Sequence, residues 1–393
     1  SILLRPDQFS DVKYSDDFNQ MVQDWKNKLL KLISYYFLKK DCSWVSGKFI
    51  AGLLSVFEDY TDKHGYNAST SNAHRQLART KAVSVYIDDL DRGRKAESRD
   101  IVRLSALLNA IRDIAGAEDG IRFIMALRTN VYHLVRTSDE STDKIEQNVI
   151  PLEWGQNEIL FLMAKRVGLY FARDVRGLAP TDSPKKFADY LHLVIDKKFK
   201  GVGHWKNQPI HKVLMSLTRK RPRDLIKLMS ASAKEAYRNG HERIYSQDLQ
   251  NILNNYSQER LQDLVNEFKS ELPQVERLLR AMKATKKERL NKAGNIFSKA
   301  ELLEKLKNIS QQNAFTFATK QVGTPQNLAE FLYRIEFVTA RKETLNGIER
   351  RYYGQDKKLM GLEDFGFKWE IHPAYRWALQ PDNQDDIFNH LDL

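Results

Sequence analysis

The class of fold is indicated most clearly by one junction, where Val83-Ser84-Val85-Tyr86-Ile87 is followed directly by Asp88-Asp89-Leu90-Asp91-Arg92-Gly93. The short β-branched run predicts a buried strand. A helix is predicted over 98–114, followed by a second buried strand over 121–127 and a shorter third strand over 149–152. Strand, helix and strand at this spacing predict a parallel sheet with right-handed crossovers.

The carboxylates of Asp88, Asp89 and Asp91 follow the first of these strands. At the carboxyl end of a parallel strand they face the crevice in which α/β folds bind ligands. Three like charges this close repel one another, and a hard cation such as Mg²⁺ suits clustered oxygens. In a P-loop NTPase the strand-end aspartate binds Mg²⁺ and the next acidic residue orients the attacking water. A plain surface turn or helix N-cap is the alternative, because aspartate is common in both.

Arg128 ends the second strand, and we expect it at the neighbouring strand tip. An arginine there would contact a γ-phosphate held by the first strand, and would distinguish a triphosphate from a diphosphate. The alternative is an ion pair with Asp89 or Asp91.

The rest of the chain divides into segments with different patterns of apolar and polar residues. Apolar spacing predicts helices over 16–38 and 47–60, and the polar stretch 61–80 reads as a loop. After Trp154 the chain reads as helical to about residue 260.

Beyond residue 295 the order changes again. Ser298 as N-cap and Glu301 predict a helix start, and a second helix is predicted over 327–339. Aromatic, alternating segments follow at 350–354 and 365–371. Two helices and then a two-stranded ribbon are typical of a winged helix-turn-helix.

Length and composition indicate a folded chain of two or three domains. The chain has 393 residues, of which 42% are hydrophobic, and it carries one cysteine, Cys42. A single cysteine excludes an internal disulfide framework and a Cys-cluster zinc site, and fits a reducing, cytoplasmic compartment. No stretch approaches the roughly 18 apolar residues of a membrane-spanning helix, so no membrane contact is predicted.

The formal net charge of +12 is unevenly distributed. Residues 151–260 hold 20 lysines and arginines against 11 acidic residues, and 275–292 adds seven bases against two acids. A basic surface of this kind over 151–292 predicts attraction to polyanions, nucleic acid first. A solubilising helix face is the alternative for 275–292, and a face toward a nucleotide triphosphate is a further one for 151–260.

The junction resembles the Walker B motif of the KAP and STAND P-loop ATPases, some of which serve in bacterial anti-phage defence. Three further stretches are similar to a KAP-like group of these ATPases: 104–113, 126–132 and 136–144. The resemblance implies that Asp88 binds Mg²⁺, that Asp89 positions the water, that Arg128 senses the γ-phosphate and that ATP is the ligand. Asp91 also belongs to the implied nucleotide site, and Arg92 would act across a subunit boundary in a self-associated form.

A second resemblance, to the lid of STAND and AAA-like ATPases, lies in the stretch Thr218-Arg219-Lys220-Arg221-Pro222-Arg223-Asp224-Leu225. There a proline-containing helix start packs on the adenine and an arginine contacts the phosphates, roles that would fall to Pro222 and Arg223. The alternative is a helix N-terminus with nothing bound, since proline is favoured there in any case.

The sequence departs from the family in one respect. The 393 residues contain no G-x-x-x-x-G-K-[ST] loop to hold the α- and β-phosphates; Gly47-Lys48 lacks the first glycine and the Ser/Thr. The helical pattern of residues 1–60 resembles the region that follows a Walker A helix, so we expect the phosphate-binding loop to lie before Ser1. The alternative is a lost loop and no hydrolysis.

Together these patterns predict a helix-rich protein with a P-loop α/β core (1–154), an α-helical lid (155–260), and a linker helix with a winged-helix domain (261–393). The expected function is an ATP-binding switch or ATPase that self-associates. Balanced charges in the winged helix predict that it contacts an effector protein. The alternative is a nucleic-acid-binding regulator or a scaffold with a degenerate nucleotide fold.

Overall fold

The computed structural model describes residues 1–9, 12–41, 83–90, 98–117, 120–138, 143–286, 288, 294–344, 347–353, 366–380 and 387–388. The chain forms two compact units, Ser1–Pro151 and Leu152–Leu393. The helix predicted over 47–60 and the loop predicted over 61–80 lie outside the described residues.

The first unit is built on a small parallel sheet, as predicted. Its strands are β1 (Ile2–Leu4), β2 (Val83–Ile87) and β3 (Ile121–Met125), in the order β1-β2-β3. Its helices are α1 (Phe18–Asp41), α2 (Ser98–Ala117), α3 (Thr129–Ser138) and α4 (Asp143–Glu146), with a 3₁₀ turn at Pro6–Phe9. The predicted strand at 83–87 and the predicted helices at 16–38 and 98–114 are therefore present. The strand predicted over 121–127 is present but ends at Met125, and β1 is an addition.

The two faces of this sheet differ in burial. Val83, Val85 and Ile87 alternate along β2 into one core with Trp25 and Leu29 of α1. On the opposite face the paired residues Leu3, Tyr86 and Ile124 form an exposed row across the three strands. The buried face fixes the register, because a slip by one residue would exchange these two sets of side chains.

The third strand predicted over 149–152 is wrong. This segment pairs with no strand among the described residues, and Ile150 and Leu152 are 81% and 88% exposed. Turn hydrogen bonds from Asn148 and Val149 to the carbonyls of Ile145 and Glu146 precede it, and Pro151 has no N–H to donate. The third strand of the sheet is β1.

The second unit begins with a helical half, in line with the prediction for 155–260. Its helices are α5 (Gln156–Tyr170), α6 (Pro184–Leu191), α7 (Ile210–Ser216), α8 (Pro222–Arg238), α9 (Ser246–Phe268) and α10 (Val275–Ala281), with a 3₁₀ turn at Gly203–Trp205. Residue 260, the predicted end of the lid, lies within the continuous helix α9.

The other half of this unit is an antiparallel sheet with two helices. The strands are β4 (Ile296–Phe297), β5 (Val338–Thr344), β6 (Gly347–Arg351) and β7 (Lys368–Ile371), in the order β4-β7-β5-β6. The helices are α11 (Lys299–Gln312) and α12 (Pro325–Arg334); a 3₁₀ turn at Pro373–Tyr375 and α13 (Arg376–Leu379) follow β7. The predicted cap of α11 is confirmed: Ser298 Oγ accepts the Glu301 N–H at 3.3 Å, and the Ser298 N–H donates to Glu301 Oε2 at 2.7 Å.

The helix predicted over 327–339 ends earlier, at Arg334. Glu336 takes a left-handed conformation (φ 59°), and the Phe337 N–H donates to the Leu332 carbonyl at 3.0 Å. This is a Schellman ending with glutamate where glycine is usual, so no glycine marks it in the sequence. Val338 and the residue after it therefore begin strand β5.

The last described residues return to the helical half. Trp377 lies 6.2 Å from Trp205 and Phe388 lies 6.0 Å from Phe199, measured between ring centroids. Gly203 (φ 73°) allows this approach, because a Cβ there would lie 2.2 Å from the Phe388 carbonyl oxygen. The segment after β7 thus shares a core with the predicted lid.

His372 is expected to make the stability of the second unit depend on pH. It is fully buried, its Nδ1 accepts the Ala374 N–H at 3.1 Å, and its Nε2 lies 3.3 Å from the Tyr352 hydroxyl. Burial, together with the nearby Arg350, lowers the pKa of His372 to about 3. Between pH 6.5 and 3 the unfolded chain therefore binds a proton that the folded chain does not, so stability falls as the pH falls.

We expect His372→Asn to reduce this acid sensitivity. Asparagine keeps an acceptor for the Ala374 N–H but does not titrate. Between pH 7 and pH 5 the wild-type protein should lose about 2 kcal/mol more of its free energy of unfolding than the variant. Urea unfolding at the two pH values measures this difference, and equal losses in both proteins would show that His372 is not the titrating group.

Candidate functional site

The parallel sheet brings the predicted acidic residues and the predicted sensor to one edge. Leu4, Ile87 and Met125 are partners in register at the carboxyl ends of the three strands. Asp88 follows Ile87 directly, Arg128 lies three residues after Met125, and the side chains of both are exposed. The structure therefore places Asp88 and Asp89 directly after β2, and Arg128 in the short segment that joins β3 to α3 at the same edge of the sheet.

The backbone at Asp89 orients the neighbouring carboxylate. Asp89 takes a left-handed conformation (φ 59°), and its N–H donates to Asp88 Oδ1 at 2.8 Å. Aspartate and asparagine tolerate this conformation better than other residues with a Cβ. The turn after β2 thus holds the Asp88 carboxylate at the edge and presents Asp89 to solvent beside it.

Arg128 sits at the start of α3. Its carbonyl accepts the Tyr132 N–H at 2.9 Å, so the helix begins one residue after the arginine. The edge therefore combines acidic oxygens, an arginine and the N-terminal end of a helix. Asp91, Arg92 and the Gly47-Lys48 pair lie outside the described residues.

Arg5 is a residue of this edge that sequence reasoning missed. It follows Leu4, the β1 partner of Ile87, and its side chain is exposed. Its N–H donates to Gln8 Oε1 at 2.8 Å, which fixes the turn after β1. Asp88 thus follows the central strand, while Arg5 directly follows one neighbouring strand and Arg128 lies three residues after the other. The signal in the sequence is slight: an apolar triplet followed by Arg-Pro.

The donors at this edge are compatible with Mg²⁺ bound together with phosphate. Across the described ranges, no group of three or more His, Cys, Asp or Glu side chains is arranged to hold a metal by itself. Mg²⁺ is commonly bound through one or two carboxylates plus substrate phosphates and water. Asp88 would supply such a carboxylate, and Arg5 and Arg128 would supply cationic groups for phosphate oxygens.

The predicted lid residues stand at the start of α8 in the second unit. Pro222 occupies the first turn after Arg221 as N-cap, and is half-buried. Arg223 is exposed, and within the described part of the chain it makes no hydrogen bond or ion pair. Arg223 is therefore a free cation on the first turn of a 17-residue helix.

Arg219, in the same stretch, has a structural role that the sequence did not predict. It is buried, and its Nε and Nη2 donate to the two oxygens of Asp224 at 2.7 and 3.1 Å. Its Nη1 donates to the Tyr375 hydroxyl at 3.0 Å, and Arg260 of α9 donates to Asp224 Oδ1 at 2.9 Å. The start of α8 is thus joined to α9 and to the segment after β7.

The pKa of Asp224 reflects this arrangement. Burial alone would raise it, but the attraction of Arg219 and Arg260 outweighs burial and holds the pKa well below its usual value. Asp224 therefore remains a carboxylate at neutral pH and keeps two buried guanidinium groups paired.

The basic run at 275–292 serves the fold in its described part. Arg277 donates to the Asn313 carbonyl at 2.9 Å and lies 3.7 Å from the Phe315 ring centroid. Arg280 pairs with Glu276 at 2.9 Å. These contacts favour the solubilising and structural alternative over a nucleic-acid surface there. Three of its bases, Lys287, Arg289 and Lys292, lie outside the described residues.

Comparison with known proteins adds a partial family match. Residues 186–265 match the model of the FunZ-associated C-terminal helical domain, and this range contains most of α6, all of α7 and α8, and most of α9. A protein of Escherichia coli (strain K12), named as the 80.3 kDa protein of transposon gamma-delta, is 23% identical over 325 residues. That alignment covers 80% of this chain but 43% of the E. coli protein, so the chain spans less than half of that relative.

A second relative is the allergen Alt a 2 of Alternaria alternata, which is 25% identical over 162 residues, or 41% of this chain and 77% of the allergen. No solved structure matches the chain. Among the described helices, none combines the length and apolar character that crossing a bilayer requires.

Proposed function

We propose that the protein is an ATP-binding molecular switch with ATPase activity, of the KAP/STAND type. The observation that carries this proposal is the parallel order β1-β2-β3, which brings Asp88, Asp89 and Arg128 to one carboxyl edge. Ligands of α/β sheets bind outside the carboxyl ends of the strands. A role in anti-phage defence and self-association into an oligomer are proposed only from the resemblance of residues 83–154 to these ATPases.

Each residue at the edge has a distinct role in this proposal. Asp88, oriented by the Asp89 N–H, would hold Mg²⁺, which supplies charge neutralisation at the phosphates. Asp89 would orient the attacking water. Arg128 would contact the γ-phosphate, so the site would have different affinities for ATP and ADP. Such differential contact is what lets a nucleotide shift a conformational equilibrium. Arg5, on the other side of Asp88, adds a second cation.

The proposal assigns to these strand ends the Mg²⁺ and γ-phosphate end of the nucleotide. The 393 residues contain no phosphate-binding G-x-x-x-x-G-K-[ST] loop, so no residue is assigned to the α- and β-phosphates. Pro222 and Arg223 are proposed to contact the adenine and the phosphates from the lid.

For the second half of unit two we propose a winged helix that contacts an effector protein. The order of α11, α12, β5 and β7, with β4 pairing to β7, supports this topology. Two of its bases are already engaged in the fold: Arg334 pairs with Glu271, and Arg341 is buried. A DNA-reading helix needs exposed bases for phosphate contacts, so this charge pattern favours a protein partner.

Arg223→Gln tests the lid assignment. We expect the affinity for Mg-ATP to fall about tenfold, because a charge-assisted hydrogen bond to phosphate is lost. The free energy of unfolding should stay within about 0.5 kcal/mol of wild type, since Arg223 is exposed and unpaired. Titration with a fluorescent ATP analogue measures the affinity.

Arg238→Gln, at the other end of the same helix, is the matched control. Arg238 is 76% exposed and lies 3.7 Å from Glu235. An equal loss of affinity for Mg-ATP in both variants would show that Arg223 acts only through the overall positive charge of the protein. The lid assignment would then be withdrawn.

The alternative, a nucleic-acid-binding regulator or scaffold with a degenerate nucleotide fold, draws on the net charge of +9 over 151–260. The regulator expects nucleic-acid binding that weakens steeply with salt and does not respond to ATP, and the scaffold expects binding of a partner protein. The ATPase proposal expects a response to Asp89→Asn, and the alternative does not.

A further inference from the structure

The C-terminal end of α5 presents a cluster of apolar side chains to solvent, which we call the α5 tip (Leu169, Tyr170 and Phe171). They are 66%, 84% and 43% exposed, respectively. The Tyr170 and Phe171 rings are 5.1 Å apart between centroids and nearly perpendicular, at 79°. Single exposed apolar residues are ordinary, but three consecutive ones that include two aromatic rings call for a partner.

The tip is held outward by a well-formed helix ending. The Arg173 N–H donates to the Gly168 carbonyl at 2.8 Å, and Ala172 takes the left-handed conformation (φ 51°). Gly168 fits closely, because a Cβ there would lie 2.4 Å from Val175 Cγ1. The preceding turn of α5, with Met163 and Val167, is buried in the core. The exposed rings therefore belong to a fixed turn.

Two arginines flank the rings. Arg166 lies one turn before Tyr170, on the same face of α5, and Arg173 follows the rings; both side chains are exposed. Within the described part of the chain, neither makes an ion pair or a side-chain hydrogen bond. The adjacent acid, Asp174, is paired with Arg176 at 3.1 Å. The tip thus combines two rings with two free cations.

We propose that the α5 tip binds single-stranded nucleic acid, with bases stacked on Tyr170 and Phe171 and phosphates contacted by Arg166 and Arg173. Aromatic rings beside guanidinium groups are the general means by which proteins bind single strands, because every base offers a ring face. The charge of +9 over 151–260 complements a polyanion. This proposal does not depend on the nucleotide assigned to the first unit.

The same chemistry fits a lipid surface less well. A helix that lies on a membrane exposes an apolar face along its length. In α5 the apolar residues before the tip, such as Ile159 and Leu160, are buried in the protein core. One exposed turn is too short for such a face, whereas it matches the size of one or two stacked bases.

Fluorescence anisotropy with a labelled oligothymidylate of about 15 nucleotides, at low salt and with the full chain, tests the proposal. We expect Tyr170→Ala to weaken binding at least fivefold, the lower end of the effect of one stacked base. Tyr237→Ala is the matched control, because Tyr237 is 86% exposed on α8 and lies outside the tip. Its affinity should equal that of wild type.

A salt titration tests the arginines separately. We expect Arg166→Gln to lower the slope of log affinity against log salt by about 0.7, the value for one phosphate contact on a single strand. Arg176→Gln, which removes an exposed but paired arginine, should leave the slope unchanged. Circular dichroism melts confirm that each variant is folded, as expected for exposed positions.

Four results would overturn the proposal: no binding of the oligonucleotide by wild type, equal affinities of Tyr170→Ala and Tyr237→Ala, equal affinity of wild type for duplex and single strand, or binding to anionic phosphatidylserine vesicles in place of the oligonucleotide. The last result would assign the tip to a membrane surface.

Discussion

Asp89→Asn is expected to bind Mg-ATP as tightly as the wild-type protein and to lose ATP turnover by roughly 10²- to 10⁴-fold, the range for removal of a group that acts on the attacking water. The substitution removes the charge that would orient that water. It leaves Asp88 and Arg128 in place, so the proposed contacts to Mg²⁺ and the γ-phosphate remain. Steady-state phosphate release and equilibrium ATP binding, measured on the same preparations, separate the two effects.

Asparagine is the informative substitution at this position because of the backbone. Asp89 has a φ of 59°, a conformation that asparagine adopts at lower energetic cost than alanine. The N–H that donates to Asp88 Oδ1 is also retained. Asp89→Ala would disturb this turn and could weaken binding as well as turnover. Turnover retained in Asp89→Asn would contradict the role given to Asp89.

Asp224→Ala is expected to destabilise the second unit by about 3–5 kcal/mol, the cost of leaving a buried partner charge unpaired. Asp224 is paired with two buried arginines, Arg219 and Arg260. Removing the carboxylate leaves the buried Arg219 guanidinium with the Tyr375 hydroxyl in place of a charged partner, whereas Arg260 keeps its ion pair with Asp263. Urea unfolding followed by tryptophan fluorescence measures the loss, because Trp205 and Trp377 lie in the adjoining core.

Asp263→Ala is the matched control for this experiment. Asp263 also pairs with Arg260, at 2.9 Å, but its side chain is 42% exposed. Exposed partners contribute about 0–1 kcal/mol, so we expect a small loss. Similar losses in both variants would show that burial of Asp224 does not set the stability. The pKa of Asp224 is lowered, so its contribution should be present above the unfolded value, near pH 4, and be lost below it.

The parallel sheet was readable from the sequence where the strands are long enough to show a pattern. Val83–Ile87 and Ile121–Met125 are five-residue strands in which most residues are apolar, and their parallel pairing followed from the helix between them. Ile2–Leu4 is only three residues long and has no periodicity, so both β1 and the neighbouring Arg5 were missed. The run at 149–152 has the composition of a strand but pairs with no strand among the described residues. The local sequence does not show whether a neighbouring strand is available for pairing.

Two other differences have the same origin in long-range or backbone effects. The end of α12 depends on the left-handed Glu336, a conformation usually signalled by glycine. The pairing of Arg219 with Asp224 and of Asp224 with Arg260 joins residues 5 and 36 positions apart. Spacing alone therefore did not separate the buried Arg219 from the exposed Arg223 within one basic stretch.

Binding of Mg-ATP to the natively expressed protein tests the central claim most directly. Isothermal titration should show saturable binding, a requirement for Mg²⁺ that is lost in Asp88→Asn, and a preference for ATP over ADP that is lost in Arg128→Gln. No binding at millimolar Mg-ATP, or binding that neither variant alters, would contradict the assignment of this strand edge as a nucleotide site.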